Sequence, residues 1–360
     1  VLNPGVLFAQ EETDGMKAMR LTGIRKMEMH TVPTPVVEKD TDVLIQMTRV
    51  GVCGSDVHYY TEGKIGCQVV QYPFTVGHEG AGVVKQVGAA VTRVKPGDAI
   101  AIEPAMSCWT CDQCLAGRPH TCRKLRFLGC PKQAEGCFSE YLVMPETSCF
   151  PLPPSVTADE GALSEPLAIG VYAVKGSIPM RGAKVGILGV GPIGLSVMFA
   201  ARAQGAERIY VTDKIDTRLT LARKAGADWG GNPATSDVVA ALSGLEPAQL
   251  DVVFECCGQQ DALDQSVEML KPGGKLMVVG IPPTLDRVAF KIDKLRHKEL
   301  CIQNVRRQNH CVQPTLDMIA RREVDVTMMV THRFPFSQTQ AAFDLVAGYG
   351  QGVIKAMIDF

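Results

Sequence analysis

The stretch KVGILGVGPIGL, residues 184–195, joins an apolar run to a helix-like run through the turn Gly189-Val190-Gly191-Pro192-Ile193-Gly194. A lone G-x-G-x-x-G is weak evidence, but this one follows a strand pattern and opens a helix. There the backbone can approach a pyrophosphate, and the helix dipole favours the anion. Asp213 ends the next apolar run, RIYVTD, nineteen residues after Gly194. A carboxylate at that place accepts hydrogen bonds from both adenosine ribose hydroxyls and repels a 2′-phosphate, so the expected dinucleotide is NAD rather than NADP. The alternative for Asp213 is a helix N-cap, and neighbouring Lys214 and Arg218 soften the exclusion of NADP.

Working outward, strand and helix patterns alternate. RIYVTD, LDVVFECC and KLMVVG read as strands, and LSVMFAARAQGA, TRLTLARKAGA and DALDQSVEML as helices, which predicts a doubly wound parallel sheet. Before about residue 165 the chain is different. Short β-branched runs such as DVLIQMTRV, AGVVKQV and AIAIEP are separated by Gly, Pro and Asp, the mark of an irregular β domain. The expected organisation is a β domain over 1–165, a nucleotide-binding domain over 166–303, and a segment 304–360 whose last run, KAMIDF, returns to the first domain. Residues 1–15 read as a loosely attached extension, without the basic start or cleavage-like end of a signal peptide.

Composition narrows the partners. The chain has 360 residues and a formal net charge of −1, so nucleic acid and anionic membrane surfaces are poor partners. No apolar run approaches a membrane span. Of thirteen cysteines, four lie in CWTCDQCLAGRPHTC: Cys108, Cys111, Cys114 and Cys122. Four soft thiolates on one short loop select zinc, and a closed tetrahedron leaves no place for substrate, so this site is expected to be structural. Disulfides are the alternative, but cysteines at every third position pair awkwardly. The other nine are scattered, some in apolar runs, which points to a reducing cytoplasm.

A second constellation carries chemistry. GVCGSDVHYY (51–60) and VGHEGAGVV (76–84) supply Cys53, His78 and Glu79, a thiolate, an imidazole and a carboxylate suited to a zinc that keeps an open position. Ser55 and His58 lie two and five residues after the cysteine, where they could pass an alcohol proton toward solvent. Taken singly, each residue has a structural explanation, as a core cysteine, a satisfied histidine or an ion-paired glutamate.

At these residues the chain resembles the zinc-containing medium-chain dehydrogenases, with His78, Gly82 and Gly88 at signature positions. The resemblance covers nearly everything from Met16. It implies an α/β fold of a GroES-like catalytic domain and a Rossmann domain, with two zinc ions per subunit. GSDVHYY, AIEPAMSC, SEPLAIG and VTHRFP look most like the sorbitol, xylitol and arabinitol dehydrogenases. Ordinary zinc alcohol dehydrogenases place a second cysteine ligand where this chain has Glu165. In the polyol enzymes the residue matching Glu79 joins the metal shell, the one matching Glu165 usually reaches zinc through water, and the one matching Asp56 orients the histidine; the sequence leaves Glu165 as a ligand of the catalytic zinc either directly or through water. The resemblance also implies a proton relay through Ser55 and His58, a basic residue near the cofactor pyrophosphate at Lys355, and a homo-oligomer, a tetramer rather than a dimer. An exposed lysine on the last strand is the alternative for Lys355.

The substrate reading rests on NVRRQNHCVQP. Polyol dehydrogenases show an Arg-Tyr pair followed by Asn here, both members of the pair touching substrate, and Tyr59 matches a further substrate-lining tyrosine. Arg306 and Asn309 match; Arg307 departs. A second guanidinium can bind hydroxyls or recognise a phosphate or carboxylate, and it can equally face solvent or cofactor. The flanking motifs favour a neutral small-molecule polyol oxidised to a ketose, with a polyol phosphate or threonine-type substrate as the alternative. A silent dinucleotide-binding protein would have no need of Cys53, Ser55, His58, His78, Glu79 and Glu165 together.

Overall fold

The computed structural model describes residues 15–282 and 287–360, so residues 1–14 of the expected extension lie outside the described residues. Six parallel strands form one sheet in the order Trp229–Gly231, Arg208–Thr212, Lys184–Leu188, Leu250–Glu255, Leu270–Val278, Cys301–Asn304. Val185, Ile187, Val252, Val253 and Phe254 are fully buried, as a sheet covered on both faces requires. The chain reverses its direction of travel across the sheet beside Lys184–Leu188. That reversal is the place where open α/β sheets bind ligands, and the glycine turn stands there.

Helices Pro192–Ala203, Asp216–Lys224 and Gln260–Met269 occupy the expected positions. Pro192 begins the first, where its missing N–H costs nothing. Two elements carry no readable period. Trp229–Gly231 has two glycines in three residues, and Cys301–Asn304 is four residues long.

The second sheet is mixed and has seven strands. Its order is Cys149–Pro151, Ala99–Ile102, Glu79–Val87, Asp42–Gly51, Lys355–Asp359, Val330–Pro335, with Tyr141–Pro145 also pairing Asp42–Gly51. The last strand of the chain therefore sits inside this sheet, antiparallel to Asp42–Gly51 and parallel to Val330–Pro335.

Helix Ala158–Lys175 runs through the change of sequence character near residue 165. A capping box starts it: Glu160 N–H donates to Thr157 Oγ1 at 3.3 Å, and Thr157 N–H donates to Glu160 Oε2 at 2.8 Å. Thirteen of its eighteen residues are buried, because it packs on strands of the mixed sheet and on helix Pro192–Ala203. Gly170 permits that helix crossing, since a Cβ there would overlap the backbone of Ser196. No helix among the described residues is long and apolar enough to cross a membrane.

In the dinucleotide turn, Gly189 has φ of 91°, and a Cβ on Gly194 would overlap the Gly189 carbonyl oxygen. Gly194→Ala should therefore force the turn open, lower stability by about 1–3 kcal/mol as overpacking does, and weaken dinucleotide binding. Thermal unfolding and cofactor titration check this, and an unchanged melting temperature with unchanged affinity would contradict it.

Candidate active site and metal centres

The lobe cysteines converge. Helix Asp112–Leu115 and the turn Pro119–Thr121 bring the sulfurs of Cys108, Cys111, Cys114 and Cys122 within 4.8 Å of one another. Cys111 Sγ is 3.6 Å from Cys114 Sγ and 3.9 Å from Cys122 Sγ. A tetrahedral zinc with Zn–S bonds of about 2.3 Å has S···S edges of about 3.8 Å, whereas a disulfide is about 2.05 Å long. Backbone N–H groups of Cys108 and Lys124 each donate to Cys122 Sγ at 3.3 Å. The donor set fits zinc. None of the thirteen cysteines is in a disulfide.

The second cluster assembles as expected in part. Cys53 ends the turn before helix Gly54–Glu62, while His78 and Glu79 meet it at the start of strand Glu79–Val87. One donor atom from each of the three lies within 4.8 Å of the others. His78 Nδ1 is 3.2 Å from Asp56 Oδ1, which also accepts from Gly77 N–H at 3.2 Å. This contact fixes the ring and leaves Nε2 for a metal. Thiolate, imidazole and carboxylate together suit zinc with an open position. Ser55 Oγ donates to Cys53 Sγ at 3.3 Å. His58 follows one turn later on the same helix; burial lowers its imidazole pKa, and the charge of Glu62 offsets this in part. Glu165 lies outside the three-residue group. Burial, with the charge of Glu79, raises its carboxyl against the opposing pull of His78.

Lys355 corrects the sequence reading. Its side chain is 1 % exposed, so it is neither a surface lysine nor aimed at a pyrophosphate. Its Nζ donates to Glu79 Oε1 and Oε2 at 2.7 and 2.6 Å and to the Val52 carbonyl at 3.0 Å. Burial alone would lower its pKa, but the charges of Glu79 and Cys53 hold it above the usual lysine value. Gly51 makes room for the pair, since a Cβ there would strike Glu79 Oε2. Glu79 thus faces the metal cluster with a cation already on it.

Arg307 turns inward. Its guanidinium lies 3.7 Å from the centroid of Phe127, whose ring stands 5.3 Å from that of His78. Phe127 is a site residue that sequence reasoning missed, because RF in a two-residue strand carries no signal. Arg306 is exposed beside it. Tyr59 Oη donates to Gln68 Oε1 at 2.9 Å and contacts Cys130 Sγ at 3.7 Å. Asn309 Nδ2 donates to the Gly117 carbonyl in the lobe.

At the dinucleotide turn, Asp213 accepts from Val190 N–H and Ile215 N–H, both at 2.9 Å. It is not the N-cap of helix Asp216–Lys224, a place taken by Ile215. Arg218 Nη1 is 3.9 Å from Asp213 Oδ2 and lies against Gly191. Lys214 is drawn away to Asp261 at 2.9 Å.

Comparison with known proteins agrees with this geometry. The alcohol dehydrogenase GroES-like domain matches residues 39–154, and the zinc-binding dehydrogenase domain matches residues 192–321. The chain belongs to the zinc-containing medium-chain dehydrogenases. Among these dehydrogenases it is 34% identical over 344 residues to sorbitol dehydrogenase of Bacillus subtilis, covering 95% of this chain and 97% of that one. It is 32% identical over 357 residues to L-idonate 5-dehydrogenase of Vitis vinifera, covering 97% and 96%. A zinc-binding dehydrogenase structure from Sinorhizobium meliloti, bound to NADP, superimposes with a TM-score of 0.88 at 30% identity, covering 96% and 100%.

The two clusters should respond differently to substitution. Cys111→Ser should remove one zinc and lower stability, while His78→Ala should remove the other and abolish turnover with the fold retained. Metal analysis with thermal unfolding checks this; one zinc per subunit in a folded, fully active preparation would contradict it.

Proposed function

We propose that this dehydrogenase oxidises a secondary hydroxyl of a polyol to a ketose with NAD as hydride acceptor. The observation that carries the reading is the meeting of Cys53, His78 and Glu79 within 4.8 Å, with the Ser55 hydroxyl on the cysteine sulfur. Zinc in such a set supplies Lewis acidity that lowers the pKa of an alcohol. Asp56 holds His78 in one tautomer. Ser55 receives the alcohol proton as it gives up its own, and His58, whose imidazole pKa burial lowers, takes the proton onward toward solvent. Glu165, with its raised pKa, hydrogen-bonds a second substrate hydroxyl, and Tyr59 holds another, with Arg306 beside them at the substrate. Phe127 shields the histidine from water. Gly189, Gly191 and Gly194 seat the cofactor diphosphate, with Pro192 and Ile193 opening the helix beneath it, while Asp213 and Arg218 meet the adenosine ribose.

The relatives support the substrate class: one is a sorbitol dehydrogenase and another an L-idonate 5-dehydrogenase. Cysteines scattered outside the two metal clusters without pairing favour a reducing cytoplasm, and the family resemblance favours a homotetramer.

The test is initial-rate kinetics with xylitol, sorbitol and arabinitol, using NAD and NADP. Wild type should prefer NAD, and Asp213→Ala should weaken NAD and shift the preference toward NADP, because a carboxylate facing the 2′-phosphate is removed. Equal use of both cofactors by wild type would contradict the role of Asp213; no turnover of any polyol by zinc-loaded protein would contradict the assignment.

A further inference from the structure

We propose that the polyol this enzyme takes carries a terminal anionic group, a carboxylate or a phosphate, seated by Arg306 and Arg307. The inference rests on the polyol dehydrogenase reading and narrows its substrate.

A cavity of about 260 Å³ lies between the cysteine lobe and the loop 305–311. Arg306, Arg307, His120 and Gln133 line it, with Thr121 and Cys122 from the lobe, and no carboxylate does. Arg307 connects this cavity to the metal cluster by contact alone, since its guanidinium stacks on Phe127, whose ring stands beside His78. Neither arginine has an ion pair among the described residues, and Arg307 Nη1 and Gln133 Oε1 are buried without partners. Burial and the adjacent Arg306 pull Arg307 down to about 10, against the opposing charges of Cys130, Glu103 and Glu165. Arg307 is largely desolvated beside the like charge of Arg306 and has no carboxylate in direct contact among the described residues, and a hydroxyl group does not supply a counter-charge there. A guanidinium fork matches carboxylate or phosphate bidentately.

The loop is also held in place before any ligand arrives. The Gln308 side chain donates to the buried Glu103 and accepts from Cys311 N–H at 2.7 Å. Asn309 donates to the Gly117 carbonyl at 3.0 Å. Arg307 itself sits in the left-handed region, with φ of 55°. Such preorganisation reduces what binding must spend on ordering.

The experiment compares kcat/KM of the zinc-loaded wild type for a matched set: a hexitol, the hexonate with a terminal carboxylate, and the hexitol 1-phosphate. At least one anion should exceed the neutral hexitol by roughly tenfold or more, the range of a charge-assisted bidentate contact, and the rates show which anion is read. In Arg307→Gln the anion-to-hexitol ratio should fall by about tenfold. A hexitol turned over as well as both anions would overturn the proposal and leave the lobe thiolates as the counter-charge of the arginines. Calorimetric binding of the same three compounds separates the two readings. An anion bound tightly, lost in Arg307→Gln and never oxidised, would sink the dehydrogenase reading and keep the pocket. Turnover without anion preference sinks the pocket alone.

Discussion

The buried ion pair between Lys355 and Glu79 ties the end of the chain to its metal cluster. Both side chains are 1 % exposed, and 276 residues separate them. Isolating either charge would cost several kcal/mol, so the two must be buried together. Strand Lys355–Asp359 delivers the lysine only because it lies beside Asp42–Gly51, which in turn lies beside Glu79–Val87. The mixed sheet, its late-arriving strand and the position of Glu79 are therefore parts of one constraint. Gly51 completes it by leaving space where any side chain would displace the carboxylate.

Around that pair the two sheets are joined by helix Ala158–Lys175, which carries Glu165 from the side of the parallel sheet toward the metal cluster. The close crossing at Gly170 sets the helix against Pro192–Ala203, the helix that opens at the dinucleotide turn. Metal cluster and cofactor turn are thus linked through one rigid element. Catalysis by positioning depends on such linkage, because hydride transfer requires substrate carbon and nicotinamide to meet at fixed distance.

What was legible in the sequence was what is local. The turn 189–194 and the four lobe cysteines each declare their geometry within a dozen or so residues, since glycine spacing and cysteine spacing act on one short stretch of backbone. Cys53 and His78 were legible because each sits in a recognisable motif. Lys355 was misplaced for the opposite reason: its partner comes from across the sheet, and nothing in GVIKAMI announces it. The sequence leaves Arg307 open between pocket, solvent and cofactor, because the ring it stacks on, Phe127, belongs to a strand too short to read. Trp229–Gly231 escaped because glycine carries no period.

The most direct measurement of the central constraint is denaturant unfolding of Lys355→Met in metal-free and zinc-loaded protein. Without metal, the substitution leaves the Glu79 carboxylate buried with no counter-charge, and stability should fall by about 3–5 kcal/mol. With zinc bound, the metal supplies positive charge beside Glu79, and the loss should be clearly smaller. A small loss in the metal-free protein, or an equal loss in both forms, would contradict the account that Lys355 holds Glu79 at the metal cluster.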